Sequence, residues 1–121
     1  MKLRIEANSL RLRLRQSDVA QFASTGLVEA SLDFGERRLT YSLRTSSQAF
    51  ETFATFAEGR ITVSVPHAAA QRWAASNEVA IEGASGPLFI LIEKDFQCLH
   101  KDAAANADAY PNPAFSGAPS A

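Results

Sequence analysis

Apolar and polar residues alternate over most of the first hundred positions, and two short stretches of helical spacing interrupt the alternation. Leu3 and Ile5 alternate with Lys2, Arg4 and Glu6, which predicts a half-buried strand. Asn8-Ser9 suits a tight turn, because Asn tolerates positive φ. Leu10, Leu12 and Leu14 then alternate with Arg11, Arg13 and Arg15, so leucine lines one face and arginine the other. Ser17 predicts a helix N-cap, with Asp18 favourable at the positive end of the helix dipole. Val19, Phe22 and Ala23 share one helical face. Gly26 supplies a left-handed residue that closes a helix of about two turns, with Leu27 packed back on its last turn.

Val28, Ala30 and Leu32 give a third strand, Gly35-Glu36 a turn, and Leu39, Tyr41 and Leu43 a fourth strand. Thr45–Gln48 reads as a polar connector. Phe50, Phe53 and Phe56 recur every three residues, as in a helix. Thr52, Phe53, Thr55 and Phe56 nevertheless favour strand, and Glu58-Gly59 makes a hairpin turn, so a strand is predicted from about Glu51. Ile61, Val63 and Val65 form the next strand. Pro66 suits the first turn of a second helix, whose inner face is Ala69, Ala70, Trp73 and Ala74. Asn77 takes the place that Gly26 holds in the first helix. Val79 and Ile81 start a strand that breaks at Gly83–Pro87. The nearly continuous apolar run Leu88–Ile92 predicts a central strand, ended by Glu93-Lys94-Asp95.

The segment Asn8–Ala30 can be slid onto Gly59–Ile81 with the same apolar rhythm. Leu10, Leu12 and Leu14 fall on Ile61, Val63 and Val65, Phe22 on Trp73, and Val28 and Ala30 on Val79 and Ile81. Two pseudo-repeats follow, about residues 1–45 and 50–96, each reading strand, strand, helix, strand, strand. Related by a pseudo-twofold, each half fills the open sheet edges of the other. The expected fold is α+β, a mainly antiparallel eight-stranded sheet or closed barrel with two short helices. Residues 1–100 form one globular domain. Residues 101–121 are expected to form an Ala/Pro/Asn-rich tail that is disordered or partly docked, pinned by Tyr110 and Phe115 up to about Pro113 and frayed beyond.

Composition narrows the picture further. A hydrophobic fraction of 46% supports a core without metal or disulfide staples. The net charge of -1 gives no whole-molecule attraction for nucleic acid or anionic membrane. Cys98 is the one cysteine, so no internal disulfide forms, which fits a reducing cytoplasm or a thiol with an outside partner. The alternating N-terminus has no signal-peptide core, and no apolar run approaches the ~18 residues of a membrane span. A cytoplasmic protein is expected, a monomer or weak homodimer.

Three groups of side chains could carry chemistry. Arg11, Arg13 and Arg15, with Arg4 beside them, could present forked donors to phosphates or carboxylates; cross-strand pairing with Glu29, Asp33 or Glu6 is the alternative. Asp95, Cys98 and His100, with Lys94 nearby, could activate a thiol or hold zinc, but one Cys-x-His pair has too few ligands. Glu93 and Asp95 share a strand face and could do acid–base work or pair with arginines. Phe22 and Trp73 read as twin core anchors. No phosphate loop, dinucleotide fingerprint or nucleophile elbow is present. The sequence therefore assigns no catalytic residue, no metal and no cofactor. Arg11, Arg13, Arg15, Lys94, Asp95, Cys98 and His100 are the candidate ligand-binding set of a non-catalytic binding or regulatory module. Nucleic-acid binding through the arginine strand, and a small enzyme or metal site at Asp95, Cys98 and His100, are the alternatives.

Two resemblances accompany this reading. The segment Arg60-Ile61-Thr62-Val63-Ser64-Val65-Pro66 through Ile92 resembles the strand–Pro–helix–strand pattern of AbrB-type transition-state regulators. Those proteins build a swapped-hairpin barrel from two copies, which a tandem chain would build alone. Where that family carries basic residues early in the helix, this chain has His67, Ala68, Ala69 and Ala70. Asn8-Ser9-Leu10-Arg11-Leu12-Arg13-Leu14, Glu93-Lys94-Asp95-Phe96-Gln97-Cys98-Leu99 and Tyr110-Pro111-Asn112-Pro113 resemble the signatures of a family of small uncharacterised bacterial proteins. That likeness runs nearly end to end and implies no particular activity.

Overall fold

The structure, a computed structural model, describes residues 1–96. The domain boundary expected at residue 100, the tail, Cys98 and His100 lie outside them. Ten elements follow in order: β1 Lys2–Glu6, β2 Ser9–Leu14, α1 Gln16–Thr25, β3 Leu27–Asp33, β4 Arg38–Ser46, β5 Phe53–Ala57, β6 Arg60–Pro66, α2 His67–Ala75, β7 Ala80–Ser85 and β8 Leu88–Lys94. The fold is α+β, and each half reads strand, strand, helix, strand, strand.

The strands form two four-stranded sheets, ordered β1-β2-β8-β7 and β3-β4-β6-β5. At the centre of each lies a parallel pair, β2 with β8 and β4 with β6. The outer strands β1, β3, β5 and β7 each pair antiparallel with one of those four. Replacing β1–β4 by β5–β8, and the reverse, converts the order of one sheet into that of the other. Each half gives its first hairpin to one sheet and its second hairpin to the other, so all four hairpins find a neighbour. Antiparallel pairings predominate, as the alternation implies, but the closed-barrel alternative is corrected. Among the described residues no ladder joins the two sheets. The β5 and β7 edges approach without pairing: Ser85 Oγ donates to the Ala54 carbonyl at 3.1 Å, and Gly83 lies against Thr52.

Leucines and valines of the inward faces fill the space between the sheets. Leu10, Leu12, Leu14, Val28, Leu43, Val63, Val65, Ile90 and Ile92 are all buried. The helices follow β2 and β6 and meet through Phe22 and Trp73, whose rings pack edge-to-face with centroids 6.2 Å apart. Both rings are buried, as twin anchors should be.

Several local expectations are adjusted. Helix α1 begins at Gln16, with Arg15 as its N-cap and Ser17 inside. The Asp18 carboxylate accepts the Arg15 N–H at 3.0 Å and the Met1 ammonium at 2.8 Å, so Asp18 rather than Ser17 satisfies the helix start. Burial alone would raise the Asp18 carboxyl, but these hydrogen bonds and positive charges outweigh it and hold the carboxyl below its usual range. Gly26 closes α1 as expected, at φ 76°, with its N–H on the Phe22 carbonyl at 2.9 Å. Leu27 opens β3 and stays exposed instead of packing back. Asn77 does not repeat the role of Gly26: Ser76 caps α2 in extended conformation, and Asn77–Val79 form a connector. The first turn falls at Ala7-Asn8, with Ala7 carrying the positive φ.

That longer connector shifts the second return strand. Val28 lies opposite Leu43, whereas Ile81, not Val79, lies opposite Ile92. Val79 is exposed outside the strand. Strand β7 also runs through Gly83, and its turn is confined to Gly86-Pro87. A Cβ on Gly83 would stand 2.7 Å from Thr52 Cβ, so this glycine serves close approach of two sheet edges rather than a break. β8 is central, as its apolar run implies, although Phe89 on its outer face is exposed.

Candidate functional site

The arginines of β2 stand on the outer face of their sheet, opposite carboxylates. Arg13 Nε lies 2.6 Å and Arg11 Nε 3.7 Å from the same Glu93 oxygen of neighbouring β8. Arg15 faces Asp18 at 3.7 Å, and Arg4 faces Glu6 at 3.6 Å. Parallel pairing of β2 with β8 places Arg13 beside Glu93, so one carboxylate of the same sheet serves both Arg11 and Arg13. Lys94 turns away, donating to the Ser76 carbonyl at 2.8 Å with its Nζ 5.4 Å from the centroid of the Trp73 ring. Asp95 takes Lys2 at 3.1 Å. Lys94 and Asp95 line a groove of about 410 Å³ with Val19, Ala20, Ala23, Ala74 and Phe96. Arg11 and Arg13 stand apart from it on the sheet face. Among the described residues no three of His, Cys, Asp and Glu cluster as metal ligands would.

The outer face of the other sheet answers with hydroxyls. Ser42 donates to Glu29 at 2.9 Å, and Arg60 reaches the same carboxylate oxygen at 2.7 Å and the Ser42 hydroxyl at 3.1 Å. Arg44 donates to Ser64 at 2.9 Å. Hydrogen bonds from Arg60 and then Ser42 hold the Glu29 carboxyl below its ordinary range.

A different surface emerges where the central strands begin. The turns Ala7-Asn8, Phe34–Arg37, Glu58-Gly59 and Gly86-Pro87 all gather at this end, opposite the helices. Between them opens a groove of about 470 Å³, lined by Ile5, Ala7, Asn8, Ser9, Leu10, Leu39, Ala54, Thr55, Phe56, Ile61 and Leu88. None of these side chains titrates. The lining comes from both halves in matching positions: Ile5 with Phe56, Leu10 with Ile61, and Leu39 with Leu88. Both halves therefore build the groove. Ile5 is 61% exposed and Phe56 72% exposed. Asn8 holds the rim together by donating its amide to the Pro87 carbonyl at 2.7 Å. A groove of this size and apolar lining can take an apolar side chain or a small apolar ligand. Sequence reasoning assigned Ile5, Leu10, Leu39, Phe56, Ile61 and Leu88 to strand faces and missed the groove. Their signal is only that each stands in the last or first rungs of a hairpin.

Among the described residues no helix is long and apolar enough to cross a membrane. No curated protein and no solved structure matches the chain. Residues 1–114 match the family model described as a family of unknown function (DUF7009), and the chain is a member of that family.

Proposed function

We propose that this protein is a non-catalytic binding module and that the groove at the turn end is its binding surface. One observation carries the reading: both halves converge on an apolar concavity in which no side chain can donate, accept or store a proton by titrating. Ile5 and Phe56 stand exposed at its walls on the inward faces of β1 and β5. The exchange symmetry of the elements supports an internal repeat, two copies of one strand–strand–helix–strand–strand unit. The single cysteine supports a cytoplasmic setting. The nucleic-acid alternative has less support, because Arg11 and Arg13 share Glu93. The ligand-binding role of Arg15, Lys94 and Asp95 remains a separate proposal, testable by substitution.

Titration with Nile red, a neutral apolar dye, tests the reading. At dilution, where no second chain competes for the groove, the wild-type chain should bind it with a fluorescence rise. Phe56→Ser should weaken binding about tenfold, the factor that corresponds to ~1.4 kcal/mol of lost contact. Absence of binding, or turnover of a substrate in a broad hydrolase panel by the purified chain, contradicts it.

A further inference from the structure

The turn end carries a knob as well as a groove. Leu32 opposite Leu39 and Ser85 opposite Leu88 are matching rungs of the two return hairpins. Beyond the second rung lie only Gly86 and Pro87, whereas beyond the first the chain continues through residues 33–38. The β3–β4 hairpin therefore projects further than its counterpart. Phe34 sits on that tip, 69% exposed. The tip is held in shape: Phe34 N–H donates to the Arg37 carbonyl at 2.8 Å, Gly35 N–H to the Asp33 carboxylate at 2.8 Å, and Arg38 faces Asp33 at 3.7 Å. Leu39 lies at its base and also walls the groove, so knob and groove adjoin.

The charges around them have both signs. Glu36 and Arg37 on the tip, and Glu58 on the next turn, have no ion-pair partner among the described residues. Exposed apolar side chains also collect here, Ile5, Leu32, Phe34 and Phe56. A knob, a recess and opposite charges on one face are what a twofold interface requires, since the same patch must serve on both chains. A partner of another kind would need only the recess.

We propose that the occupant of the groove is a second copy of this chain. Phe34 of each protomer enters the groove of the other, and Arg37 approaches the acidic Glu58 turn across the twofold axis. The proposal rests on the reading of the groove as a binding surface and names what fills it. Dimerisation through this end leaves the outer sheet faces, with the Arg13–Glu93 and Arg60–Glu29 pairs, free.

Sedimentation equilibrium of the full chain over a concentration series is the test, with Nile red titration on the same samples. The wild-type chain should reach the mass of two chains, and Phe34→Glu and Phe56→Asp should return it to the mass of one. Phe50→Asp, a change at the other end of the strands where Phe50 is 98% exposed, should leave the dimer intact and reports whether any added charge suffices. Circular dichroism melting of each variant separates a lost interface from a lost fold, and the Phe34 tip lies outside the core. A wild-type chain that stays at the mass of one overturns the proposal, as does a dimer that survives both Phe34→Glu and Phe56→Asp. If that single-mass chain still binds Nile red, the binding-module reading stands and only the second copy falls. If it binds none, both fall.

Discussion

The two ends of the sheet pair are built from the same alternating strands, yet one is stoppered and the other open. At the helix end, α1 and α2 bring Phe22 and Trp73 together over the ends of the leucine and valine rows, and both rings leave water completely. At the turn end, two-residue connections such as Glu58-Gly59 and Gly86-Pro87 are too short to fold back across the gap. Residues that continue the inward rows, Ile5, Leu39, Phe56, Ile61 and Leu88, line a groove together with the buried Leu10. The difference separates roles: apolar side chains at the helix end hold the fold, whereas chemically similar ones at the turn end are available to a partner.

The largest effect expected from this contrast is at the helix end. Trp73→Ala should cost about 3–5 kcal/mol by urea denaturation, the usual loss for a buried aromatic. Trp73→Phe should cost far less, because Trp73 Nε1 is buried without a hydrogen-bond partner and its removal offsets part of the lost area. Equal costs for the two would contradict the stopper role. Gly83→Ala comes next, at about 1–3 kcal/mol, because the new methyl meets Thr52 Cβ and the Thr52 carbonyl, and Thr52 is itself buried.

Asp18→Ala should cost about 1 kcal/mol through loss of the acceptor at the start of α1. The pH dependence has a definite sign. The folded Asp18 carboxyl is held below its unfolded value, so its stabilisation is complete above that unfolded value and fades as pH falls through the folded one. Acid denaturation followed by circular dichroism should therefore begin below the ordinary carboxylate range and flatten in Asp18→Ala. The smallest effect on the fold belongs to the turn end, where Phe56→Ser should change stability by less than about 0.5 kcal/mol while weakening apolar binding. A destabilisation as large as that of Trp73→Ala would erase the contrast between the ends.

Much of the fold was legible in the sequence because burial on one face enforces a period of two, and leucine–arginine alternation in Leu10–Arg15 shows it directly. Phe22 and Trp73 were legible as anchors because each is a bulky aromatic on a short helix with small neighbours. The slip between Val28 and Ile81 was not, since it depends on how each helix ends: Gly26 turns the chain straight into β3, whereas Ser76–Val79 inserts a connector before β7. Nor could pattern alone place Gly83, whose reason is Thr52, distant in sequence and just ahead of β5. The arginine stripe was visible, but the pairing of Arg11 and Arg13 with Glu93 required knowing that β8 lies beside β2. The groove was hidden for a further reason. An inward-facing leucine at the end of a strand has the same local pattern as one in its middle, and only the absence of a covering element distinguishes them.

Methyl-resolved NMR of the Phe34→Glu chain, whose groove no second copy fills, during Nile red titration locates binding most directly. The shifts should concentrate on Ile5, Leu10, Leu39, Ile61 and Leu88 at the turn end, with the Val19 methyls on α1 unmoved. Shifts centred on Val19 and the Lys94–Asp95 groove, with the turn-end methyls silent, would contradict the account.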